Sequence, residues 1–220
     1  MLNLILKDIL IQKRAILIGF LYIIFFVLIF PEKLGSAILA IALVTINYIL
    51  VASSSASEDK TNSHILLNSL PISRRNIVLA KYLSLIVYST IGIVAYMIID
   101  MVAEIVNLPI EVHPVSLEGI VYGLFAVGLF NGIYLPILFK LGYIKSKAVH
   151  FLLFFTFFGS ASYVVNFFKE RMSPAAVENI VAFFMERSDL QIGLLLLGIT
   201  FVMLLISYSL SLSFYKKREF

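Results

Sequence analysis

The sequence predicts an all-α integral membrane protein with six transmembrane helices, on three observations. Hydrophobic residues fill 61% of the 220 positions and charged residues only 14%, with a mean hydropathy of +1.02. A soluble globule carries about 25% charged and about 45–50% apolar residues, so the excess here has no soluble core to fill. Six stretches are long and continuously apolar rather than alternating, the pattern of helices and not of strands. Finally, the Lys and Arg residues fall unevenly into the gaps between those stretches.

A helix needs about 20 mostly apolar residues to cross about 30 Å of hydrocarbon. Residues 15–31, 34–54, 77–100, 117–139, 148–168 and 190–214 meet that requirement, some with a tilt. Lys7, Lys13 and Arg14 precede the first stretch as they would in a signal peptide. The run to Phe30 is long, however, and no small-x-small cleavage site follows, so it reads as a retained span. With a cytoplasmic N-terminus, one side holds Lys7, Lys13, Arg14, Lys60, Arg74, Arg75, Lys81, Lys140, Lys145, Lys147, Lys216, Lys217 and Arg218. The other holds Lys33, Lys169, Arg171 and Arg187. This division of the 17 basic residues, 13 against 4, obeys the positive-inside rule and places both termini in the cytoplasm. Of the acids, Asp8, Glu58, Asp59 and Glu219 fall inside.

The opening MLNLILKDILIQKR is too short and polar to span. Leu2, Ile5, Leu6, Ile9 and Leu10 share one helical face, which suits a helix lying in the inner interface with its basic residues near anionic head groups. The alternative is a cytosolic extension of the first span.

Between spans two and three stands SEDKTNSHILLNSLPISRRNIVLAKY, far more than a turn requires. Ser57 reads as an N-cap, with Glu58 and Asp59 in the first turn where the helix dipole favours negative charge. Ile65, Leu66, Leu67 and Leu70 form an apolar edge, and Pro71 ends the helix. Ser73 can cap the next helix, which runs through Arg74 and Arg75 into span three. Two readings stand side by side: an amphipathic helix resting on lipid or neighbouring spans, or a knob for a groove on a soluble partner.

On the outer side, Asp100 and Glu104 stand at i and i+4 near the end of span three. Counting about 1.5 Å per residue from Arg75 puts Asp100 at or beyond the interface, as a solvated carboxylate or as part of an acidic vestibule. Residues 169–189 form the longest outward segment, with the start signal Ser173-Pro174 and with Val177, Ile180, Val181 and Phe184 at helical spacing. Asn47 and Asn131 are expected at helix–helix contacts, and Pro136 at a break in its helix.

Several chemistries are excluded. Without cysteine there is no disulfide scaffold, thiolate metal site or cysteine nucleophile. No soluble basic domain is long enough to bind nucleic acid. Of His64, His113 and His150, only His150 lies near a span, and Ser160 and Ser162 are ten or more residues further along that helix, about 15 Å away. No HExxH or paired-acid motif occurs within a span, and no GxxxxGK[ST] loop is present to cradle phosphates. An enzyme is therefore disfavoured.

In its layout over all 220 residues, with an interfacial helix, six spans and a cytosolic helix between spans two and three, the chain resembles the permease subunits of ABC-2 type transporters. The segment SEDKTNSHILLNSLPISRRNIVLAKY is similar to their coupling helix, LPISRRNIVLAKY most of all. Short permeases of phenol-soluble-modulin exporters and related bacterial peptide exporters are the nearest likeness. The resemblance implies a single transmembrane permease domain over residues 1–220, in a bacterial plasma membrane and surrounded by lipid. It implies a second permease copy, identical or related, and two copies of a separate ABC ATPase that binds ATP and Mg, with no cofactor in this chain. The substrate would be an amphiphilic peptide or lipid-like molecule. It also implies that Glu58, Asp59, His64, Leu67 and Arg74 contact the ATPase, and that the outer segment dips back between spans five and six as a gate. Asp100, Glu104, Val177, Ile180 and Phe184 would then line the outer vestibule or gate. The alternative is a non-transporting immunity or sensor subunit that uses the same insert to bind a cytosolic partner.

Overall fold

The computed structural model describes residues 7, 9–29, 35, 37–61, 73–106, 114–159, 171 and 186–218. Among these the fold is all-α. Its helices are α1 (Lys13–Ile29), α2 (Ala37–Lys60), α3 (Arg74–Ile105), α4 (Leu117–Leu141), α5 (Tyr143–Gly159) and α6 (Asp189–Lys217). Four of them, α2, α3, α4 and α6, are long and apolar enough to cross a membrane. α1 and α5 have 17 described residues each, and each ends where the described residues do. The described residues thus establish four crossings among the six expected. Residues 9–11 are also helical, and a turn at Gln12 separates them from α1.

Pairwise contacts fix how the helices run. Asn47 with Ser89 and Ser54 with Lys81 set α2 antiparallel to α3. Tyr82 with Ser207, and Arg74 with the carbonyl of Tyr215, set α3 antiparallel to α6. Gly128 abuts Thr200 and Gly132 abuts Met203, so α4 and α6 run parallel. Tyr134 meets both Ser146 and His150, which folds α5 back along α4. Direction thus alternates, and Lys7, Glu58, Arg74, Gly142 and Arg218 gather at one end of the bundle while Asp100, Glu104, Glu118 and Asp189 lie toward the other.

α2 is the centre. It touches α1, α3, α4 and α5, and Ala42 through Asn47 are buried without a break, as expected of a helix surrounded on all sides. Small residues let the neighbours approach: a Cβ added to Gly92 of α3 would fall 2.7 Å from Ile46, and one on Gly123 of α4 would fall 2.4 Å from Leu43. This is the close packing that holds membrane helices together where lipid competes with every apolar contact.

Polar links reinforce it. Asn47 Nδ2 donates to Ser89 Oγ at 3.1 Å, which makes it the helix–helix contact expected, whereas Asn131 Nδ2 donates to Val127 O in its own helix. Pro136 lies buried inside α4 and has no N–H to give to the carbonyl of Gly132, four residues earlier. That carbonyl instead accepts from Ser207 Oγ of α6 at 2.6 Å. Since each hydroxyl has one proton, Tyr82 then donates to Ser207 and accepts from Ser211, at 2.6 and 2.8 Å. One chain of hydrogen bonds joins three helices at the proline.

Gly142 separates α4 from α5 with φ 77° and ψ 171°, a region open almost only to glycine. A Cβ there would also meet the Arg218 guanidinium at 2.5 Å. Gly142→Ala should lower stability by about 1–3 kcal/mol, read as a shift in SDS titration from mixed micelles. Wild-type resistance to SDS would show that this turn is not needed.

Candidate functional site

The basic end of the bundle carries the best-formed polar constellation. α2 does not stop at Ser57 but runs on to Lys60, so the expected N-cap is a mid-helix residue, and Glu58 and Asp59 belong to a last turn. This corrects the sequence reading, and the reason lies in VASSSAS, two of whose serines face the helix-packed interior. Ser54 and Ser55 are buried, and Ser54 Oγ accepts from Lys81 Nζ at 2.7 Å.

Negative charge at a helix C-terminus is unfavourable unless compensated. Here Lys81 Nζ approaches Glu58 Oε2 at 3.1 Å, and Lys7 Nζ approaches Oε1 at 3.5 Å. Glu58 lies one turn past the apolar stretch ending at residue 54. Burial pushes its carboxyl up, but the charges and hydrogen bonds of Lys81 and Lys7 outweigh that and hold it below the usual carboxylate range. Lys81 itself is buried, its side chain only 7% exposed.

Arg74 begins α3 directly after Ser73, whose hydroxyl accepts from Asn76 N–H as the expected N-cap. Its Nη1 donates to the carbonyls of Tyr215 at 3.2 Å and Lys216 at 2.9 Å, and it lies over the Tyr215 ring at 5.9 Å. A cation on the last carbonyls of α6 satisfies acceptors that the helix itself leaves unpaired.

Of the five residues expected to meet a partner, Glu58, Asp59 and Arg74 therefore sit at one end of the bundle. Two of these have side chains engaged within the chain, and Asp59 is partly exposed in the last turn of α2. His64 and Leu67 lie outside the described residues, as do Val177, Ile180 and Phe184. Asp100, partly exposed, and Glu104, exposed, share one face near the end of α3. At 32 residues α3 is about 48 Å long, so some of it must leave the hydrocarbon or tilt strongly. His150 is buried and stacks on Tyr134 with ring centroids 3.7 Å apart, beside Tyr48 at 4.3 Å. That is a packing role.

Sequence reasoning missed Lys7, Lys81 and Ser54 as members of this cluster. Lys81 carried a signal, being a cation seven residues past the start of α3 and flanked by apolar residues, where an ionisable group needs a partner.

A family model described as ABC-2 family transporter protein matches residues 3–216. The chain belongs to that family. No curated protein and no solved structure is significantly similar to it. As an ABC-2 family member it is a multi-pass membrane protein and a non-catalytic transport subunit. The ABC-2 chain has no cysteine, and among its described residues no cluster of acids and histidines could hold a metal ion.

Proposed function

We propose that this ABC-2 chain is the transmembrane subunit of an ATP-driven exporter for an amphiphilic substrate, a peptide first of all. It works as a pair of permease copies moved by a pair of separate ATPases that bind the ATP and Mg. Both termini face the cytoplasm of a bacterial cell, because the end of the bundle that carries the 13 basic residues is the inner one. Residues 62–72 dock into the ATPase with Leu67 as apolar anchor, His64 and Asp59 beside it, and Glu58 and Arg74 at its two roots. Asp100, Glu104, Val177, Ile180 and Phe184 belong to the exit.

The observation that carries this reading is the pinning of both roots of segment 62–72. Glu58, before it, is tied to α3 and to Lys7, and Arg74, after it, is tied to the end of α6. A push on the segment is thereby delivered to α2, α3 and α6 together. Leu67→Asp should abolish co-purification of the partner ATPase while membrane insertion persists. Co-purification at the wild-type level would refute the docking assignment.

A further inference from the structure

We propose that the groove between the first turns of α4 and α6 binds a single-chain amphiphile with a cationic head. The groove has a volume of about 510 Å³, within the range of about 300–1,000 Å³ usual for small-molecule sites. Val121 of α4 and Leu194 and Leu197 of α6 supply apolar walls. A Cβ on Gly193 would lie 3.7 Å from Val121, so the two helices stay in contact range across the groove. The same groove is lined by Glu118 and Asp189, both exposed, and by Tyr122, which lies within electrostatic reach of both.

This lining selects a charge. Helix starts favour anions, but here Ser116 accepts from the Gly119 N–H and Ser188 from the Gln191 N–H, and each first turn already holds its own carboxylate. An arriving anion would meet two acids, whereas an ammonium group would be attracted by both. The charges of Glu186 and Arg187, exposed in the turn before Ser188, offset one another. An apolar wall ending at two carboxylates is complementary to a cationic amphiphile.

The role of the site as an exit station for exported substrate rests on the exporter reading, but binding can be measured without the ATPase. The chain has no tryptophan, so Leu190→Trp, at an exposed lining position, is a single reporter. With this variant in phosphatidylcholine nanodiscs, a chain-brominated dodecyltrimethylammonium should quench it saturably, at lower concentration than chain-brominated dodecyl sulfate. Adding Glu118→Gln and Asp189→Asn should raise the half-saturating concentration of the cation about ten-fold, as two exposed charge contacts allow. Gly193→Leu should remove the saturable component. Equal quenching by the two amphiphiles, quenching that never saturates, or no change in the double variant would overturn the proposal. Saturable cation binding by a chain that recruits no ATPase would keep the site and reject the exporter role.

Discussion

Lys81→Met should be the most damaging single substitution at the inner end, lowering stability by about 2–3 kcal/mol in SDS titration at neutral pH. It removes the closer partner of Glu58 and leaves the carboxylate with Lys7 at 3.5 Å. Breaking a fully buried pair costs about 3–5 kcal/mol, and the 29% exposure of the Glu58 side chain puts this one at or below that range. The double variant Lys81→Met/Glu58→Gln should recover much of the loss, because the carboxylate deprived of its closer cation is then neutralised as well. A double variant less stable than the single one would show that the pair is not what Lys81 provides.

The pH dependence has a definite sign. The folded state holds the Glu58 carboxyl below its ordinary value, so the pair contributes fully above the usual carboxylate range. That contribution fades as pH falls through the depressed folded value. The gap between wild type and Lys81→Met should therefore narrow on acidification, and a gap independent of pH would point to lost packing instead.

The second large effect is expected at the proline. Ser207→Ala should cost about 1–2 kcal/mol, because it leaves the Gly132 carbonyl without a donor in an apolar interior and deprives Tyr82 of its acceptor. Pro136→Ala restores the N–H that this carbonyl lacks within α4. In that background Ser207→Ala should cost less, with a coupling of about 0.5–1 kcal/mol in a double-mutant cycle. Strict additivity would mean that Ser207 does not compensate for the proline.

Much of the architecture was legible in composition and spacing. Continuous apolar runs longer than a soluble core can use mark helices in lipid, and the Ser73 cap before Arg74 reads directly from local chemistry. The end of α2 was not legible. Serine followed by two acids has the same local signature whether it opens a helix or lies in one whose serines are buried, and Ser54 and Ser55 are hidden only because other helices pack around α2. Pairings between residues far apart in sequence were equally invisible, as with Arg74 and the last turn of α6, or Ser207 and a carbonyl freed by Pro136.

By itself, then, the sequence determined the environment of the chain, its helical class and the asymmetry of its charges, since each follows from local composition against a bilayer of fixed thickness. Only the tertiary structure decided what the polar residues do. Glu58 and Arg74 looked like groups waiting for a partner protein. Packing brings Lys81, Lys7 and the carbonyls of α6 to them, because a charge drawn toward an apolar interior is stable only where another element meets it.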